Sequence, residues 1–184
     1  MSVSDDSSVT LVKRLPTSFL CFTLSPVDAD TFMISTINHE RPVRTIDVHG
    51  NEGDFKHKLL PDKTYKTDES TCTYIPSTNT CVFVERDQHT VYMCDITSGE
   101  GHVVTSDKIV TPRRVHAGPN DTVFVCSRGT HAIVQISPRG DILISHNVDM
   151  KFPYAVSLSR DGTRLAVSNS EIDNFKIKLF KVSS

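Results

Sequence analysis

The chain of 184 residues has no run of eighteen apolar residues, so nothing in it reads as a membrane-spanning helix. Its opening residues, Met1 to Arg14, are polar and acidic, unlike a secretory signal, and a cytoplasmic location is expected. Large charge of one sign is absent: the formal net charge is −2, which excludes a surface given over wholly to nucleic acid. No C-x-x-C pair occurs among the five cysteines, so a zinc site of paired ligands is not expected. The odd thiol count and the β-like runs around Cys21, Cys72, Cys81, Cys94 and Cys126 read as small buried side chains in a reducing compartment. A cross-hairpin bridge between Cys72 and Cys81 is the alternative. The chain also lacks G-x-S-x-G and H-E-x-x-H, and Gly99-Glu100-Gly101 is followed by no helical pattern that could cradle a phosphate.

What is present is a repeat. With hydrophobic content of 38% and charged content of 23%, the composition is that of a packed globular chain. TFMIST from Thr31, CVFVER from Cys81, TVFVCS from Thr122 and RLAVSN from Arg164 start 50, 41 and 42 residues apart. VRTIDV from Val43, VYMCDI from Val91, IVQISP from Ile133 and IKLFKV from Ile177 start 48, 42 and 44 residues apart. Two independent anchors thus share a period near 42, the length of a four-stranded propeller blade. Apolar segments precede the first anchor, and HGNEGD, TSGEGH and SPRGDI follow the second as glycine turns, so each unit reads as four short strands.

The reading predicts an all-β propeller with blades at about 18–69, 70–112, 113–153 and 154–184, after an N-terminal tail over 1–17. The first unit carries an extra stretch, residues 55–69, expected to be an outer strand and a tolerated surface loop. The last unit stops after three strands, and the run Ser8–Leu15 is the candidate to close it by adding as its outer strand.

Residues 122–140, TVFVCSRGTHAIVQISPRG, resemble the NHL repeat: Val123, Phe124, Val125, Gly129, His131, Ile133, Pro138 and Gly140 fall on its pattern. Val82, Phe83, Val84, His89, Val91 and Gly99 fit it in the preceding unit. The resemblance implies a six-bladed propeller like the C-terminal domain of tripartite-motif proteins, some of which are ubiquitin ligases. RING and B-box patterns are absent, and four blades are visible rather than six. Three explanations stay open: part of a longer chain, which is favoured, a four-bladed ring, or self-association through open blade faces.

Loops at one end of a propeller line one face, and here that face collects His39, Arg41, Arg86, His89, Arg113, Arg114, Arg128, His131, Lys151 and Tyr154. These are the candidate partner-binding residues, with Arg and Tyr as anchors on a rigid scaffold. Protein or peptide recognition is the expected function, as the resemblance implies, and RNA binding by a basic face is the alternative. Glu40, Asp68, Glu69, Asp87, Glu171 and Asp173 on the same face weigh against RNA. The recurrence of His89 and His131 also fits a structural position in the repeat. Asp28 and Asp30 are read as turn residues rather than calcium ligands. Propeller lactonases and lyases, which hold a metal in the channel, form the third reading; only His116 on the inner strands suits such a site. No cofactor and no enzymatic activity are expected.

Overall fold

The computed structural model describes residues 11–55, 57–61 and 63–182. Among the described residues fifteen strands form four antiparallel sheets arranged as propeller blades. Blade 1 contains β1 (Leu20–Pro26), β2 (Thr31–Ile37), β3 (Val43–Asp47) and β4 (Glu52–Gly53). Blade 2 contains β5 (Ser70–Ile75), β6 (Thr80–Glu85), β7 (Thr90–Asp95) and β8 (Gly101–Thr105). Blade 3 contains β9 (Pro112–Ala117), β10 (Val123–Ser127), β11 (Ala132–Ile136) and β12 (Ile142–Asn147). Blade 4 contains β13 (Pro153–Leu158), β14 (Arg164–Asn169) and β15 (Ile177–Lys181). Within each blade the strands pair in sequence order, and the inner strands β1, β5, β9 and β13 neighbour one another around a central axis.

Strand periodicity makes each blade two-faced, and the blades stack through those faces. On β6, Cys81 and Phe83 face blade 1 while Val82 and Val84 face blade 3. On β10, Val123 and Val125 face blade 2 while Phe124 and Cys126 face blade 4. On β14, Leu165 and Val167 pack on blade 3. Gly50, Gly99 and Gly140 turn the β3–β4, β7–β8 and β11–β12 hairpins at φ of 92°, 74° and 87°, a region that suits glycine. Asp28 ends the β1–β2 turn as expected: its Oδ1 accepts from the N–H groups of Asp30 and Thr31, both at 2.8 Å.

Three features differ from the sequence reading. The stretch 55–69 forms no long outer strand; β4 has only two residues, and Leu60 and Tyr65 enter the core between blades 1 and 2. Lys63 in this stretch pairs with the buried Glu85, whose carboxylate also accepts from Tyr92 Oη at 3.1 Å. Residues 8–10 of the run expected to close blade 4 lie outside the described residues. Residues 11–17 form no strand and lie against blade 1, where Leu15 joins Phe19, Ile34, Ile46 and Phe32. Phe19 is buried there, with the Arg44 guanidinium 4.9 Å from its ring centroid. Blade 1 is thereby capped on the face turned away from blade 2. The corresponding face of blade 4 carries Ile177 and Leu179, 73% and 71% exposed.

Cys72, Cys81, Cys94 and Cys126 are buried free thiols, and Cys21 is an exposed one. Cys81 stands opposite Tyr74 and Cys94, and Cys72 stands opposite Phe83, so Cys72 and Cys81 are not cross-strand partners. Burial pushes the Cys94 thiol up to about 11 and the Cys72 thiol to about 12, which keeps both protonated and inert.

Candidate functional site

Each inner strand after the first is entered through a residue with left-handed backbone: Asp68 (φ 66°), Thr111 (φ 45°) and Phe152 (φ 55°). For a threonine or a phenylalanine this conformation is strained, and the surroundings must hold it. The histidines do so. His89 Nδ1 accepts from the Thr111 N–H at 3.0 Å, and His131 Nδ1 accepts from the Phe152 N–H at 3.2 Å. Each ties the tight turn of one blade to the entry of the next, a structural task repeated every 42 residues. His39 also serves its own turn, its Nδ1 accepting from the Arg41 N–H at 3.0 Å.

Beside these turns the residues gather around one mouth of the axis. Arg113 and Arg114 begin β9 and Tyr154 begins β13, so all three are strand residues rather than loop residues. Asp68 is the hub. Its backbone oxygen accepts from Arg113 Nη1 at 3.0 Å, its Oδ2 pairs with the same guanidinium, and its Oδ1 accepts from Tyr154 Oη at 2.9 Å. Arg86 Nε donates to Asp87 Oδ1 at 2.6 Å, and its Nη2 lies 3.7 Å from Glu69. The hydrogen bond from Arg86 holds the Asp87 carboxyl below the usual carboxylate range. Burial lowers the Arg113 guanidinium, opposed by Asp68 and reinforced by Arg86 and Arg128.

Arg114 and Arg128 are held differently. The Arg114 guanidinium sits 4.8 Å from the Phe22 ring centroid and 5.6 Å from that of Tyr154, spanning the axis from β9 to β1 and β13. Arg128 lies 4.3 Å from the Phe152 ring centroid, and its buried Nε has no hydrogen-bond partner among the described residues. Neither guanidinium has an acidic partner within ion-pair distance among the described residues. Cation–ring contacts orient them and leave their N–H edges to other acceptors.

Arg86, Arg113, Arg114, Arg128 and Tyr154 thus meet at the mouth, with His89 and His131 beneath it as turn anchors. His39 and Arg41 stay at blade 1, where Arg41 Nη1 is 3.5 Å from His57 Nε2. Lys151 is exposed and 3.8 Å from Glu171 on blade 4. Sequence reasoning counted Asp68 only as a charge opposing RNA, and it overlooked Phe22 and Phe152. The position of Asp68, Thr111 and Phe152, each one or two residues before an inner strand, was the available signal. Among the described residues no group of three or more His, Cys, Asp or Glu is arranged to hold a metal ion. No helix among them is long and apolar enough to cross a membrane.

No family model and no curated protein matches the chain. Solved structures do match in fold. Hydrazine synthase of Kuenenia stuttgartiensis superposes with a TM-score of 0.70 at 16% identity, covering 95% of this chain and 49% of its own. Virginiamycin B lyase from Staphylococcus aureus gives 0.62 at 17% identity, covering 90% and 57%. A functionally unknown protein from Desulfotomaculum acetoxidans gives 0.68 at 15% identity, covering 93% and 54%. The chain spans about half the length of these structures. The resemblance to NHL repeats and tripartite-motif proteins finds no matching family model; the propeller is what stands. One expectation is corrected outright. The absence of enzymatic activity was inferred from missing motifs, yet the structures sharing this fold include lyases, so that inference is withdrawn. The reason is physical: a propeller assembles a site from residues of different blades, which no local motif records. By its fold this chain forms four blades of a β-propeller, and in fold alone it is similar to those solved structures.

Proposed function

We propose that this chain recognises a protein or peptide at the axial mouth lined by Arg86, Arg113, Arg114, Arg128 and Tyr154. The observation that carries this reading is the Asp68–Arg113–Tyr154 node. It locks an arginine and a tyrosine from two blades into fixed positions, beside two guanidiniums that have no acidic partner among the described residues. Rigid Arg and Tyr anchors are what dominate recognition surfaces. RNA is less well served, because Arg86 and Arg113 spend their charge on Glu69, Asp87 and Asp68. A phosphodiester chain needs several uncompensated cations in a row.

The test is selection of peptides from a displayed random library on the purified chain, followed by affinity measurement. Selected peptides are expected to lose at least about tenfold in affinity to Arg114→Glu and Tyr154→Ala, as hot-spot truncations do. They should be indifferent to Arg139→Glu on the β11–β12 turn. Equal affinity for all three variants refutes the reading. Single-stranded RNA binding with a steep salt dependence supports the alternative instead.

The likeness to the lyases supports a second reading, catalysis near the axis. One of those structures is of a catalytically inactive H270A virginiamycin B lyase with quinupristin. Here His116 on β9 is half-buried, and burial lowers its affinity for protons, leaving a neutral imidazole able to act as a base. Incubation of quinupristin with wild type and His116→Ala, followed by mass spectrometry, decides this: no product with the wild type removes it.

A further inference from the structure

We infer that the mouth takes its ligand through a carboxylate, bound edge-on by the Arg114 guanidinium between Phe22 and Tyr154. This rests on the recognition reading above and names the chemistry of the group recognised.

Arg114 is the guanidinium at the axis itself: its contacts reach β1 on one side and β13 on the other. No acid within ion-pair distance neutralises it among the described residues. The nearby acid is committed, since both Asp68 carboxylate oxygens are engaged, one by Arg113 and the other by Tyr154. Arg113 and Tyr154 are its partners, and no ion pair joins it to Arg114. The ring contacts neutralise no charge, and the Arg114 N–H groups make no side-chain hydrogen bond among the described residues, which leaves them open to a ligand. An in-plane pair of donors matches the two oxygens of a carboxylate.

The size of the charge argues for a carboxylate over a phosphate group. At the mouth, the four arginines Arg86, Arg113, Arg114 and Arg128 are opposed by Asp68, Glu69 and Asp87, which leaves an excess of about one positive charge. One carboxylate balances it. A phosphate monoester carries about 1.5 to 2 negative charges at neutral pH and would face the three acids in excess. The rings of Phe22 and Tyr154 also suit the apolar stem of an acidic side chain.

The test titrates the chain, labelled for detection of arginine Nε–H signals by NMR, with N-acetyl-glutamate methylamide. N-acetyl-glutamine methylamide and methyl phosphate are the comparison probes. The expected result is a saturable shift of the Arg114 Nε–H signal with the glutamate probe, at least about tenfold weaker with the glutamine probe. Methyl phosphate should be weaker than the glutamate probe. The shift is lost in Arg114→Gln and weakened in Arg114→Lys, which keeps the charge without the fork. Circular dichroism and the remaining arginine signals report that both variants stay folded. Equal response to the glutamate and glutamine probes, tighter methyl phosphate, or saturation that persists in Arg114→Gln overturns the inference. Library peptides that bind the mouth yet ignore Arg114→Gln would sink the carboxylate assignment and leave the recognition reading standing. A carboxylate response at Arg114 with no peptide bound at the mouth would do the reverse.

Discussion

Removing one hydroxyl from Tyr154 tests whether the axial node holds the blades together. Tyr154→Phe keeps the ring that flanks Arg113 and Arg114 and deletes only the donor to Asp68 Oδ1, 86 residues away in the chain. Hydrogen bonds to charged groups contribute about 1.5–3 kcal/mol, and leaving a partner unpaired adds to the cost when water is excluded. Here the Asp68 side chain keeps 26% of its exposure and keeps Arg113, so water replaces part of the loss and the lower end applies. The expected destabilisation is about 1.5 kcal/mol, roughly 3–6 °C in Tm for a chain of this size. Urea unfolding followed by far-ultraviolet circular dichroism measures it. A cycle with Asp68→Asn isolates the pair, and its coupling should be at least about 0.5 kcal/mol. Amide exchange should loosen first at β13. A loss below about 0.5 kcal/mol with zero coupling would show that the node is an accident of proximity and that the mouth is not pre-organised.

Phe19→Ala should cost about 3–5 kcal/mol by emptying the cap on blade 1, and a urea melt within 1 kcal/mol of wild type would refute the packing described. Ellman's reagent should find one fast thiol, Cys21, among the five cysteines of the native chain; two or more fast equivalents would contradict the burial of the others. His116 binds protons less well folded than unfolded, so the unfolded chain takes up more protons as pH falls below the ordinary histidine value near 6.5. Stability contributed by neutral His116 is therefore full above that value and declines as pH falls below it. His116→Gln should flatten that part of the Tm–pH curve, and an unchanged slope would refute the assignment.

The blades were legible because period, alternation and glycine turns are local properties. Val82 and Phe124 declare themselves apolar and strand-like whatever their neighbours do. The stretch 55–69 misled because its charged residues, such as Lys58 and Lys63, surround two side chains, Leu60 and Tyr65, that reach the core without any period. The run ending at Leu15 was assigned to blade 4 because that unit lacked a strand, but Leu15 and Phe19 pack on the uncovered face of blade 1. At the mouth, residue types were legible and their partnerships were not. The Arg113–Asp68 and Tyr154–Asp68 contacts join positions 45 and 86 residues apart, and charge counting cannot say which arginine is left over.

The cap on blade 1 makes the two ends of the blade array unequal. An array with two bare ends can add copies head to tail without limit, as fibres do. With Leu15 and Phe19 covering the outer face of blade 1, head-to-tail stacking onto that face is blocked, while among the described residues Ile177 and Leu179 stay exposed on blade 4. The short stretch before β1 thus works as a chain terminator in the polymer sense.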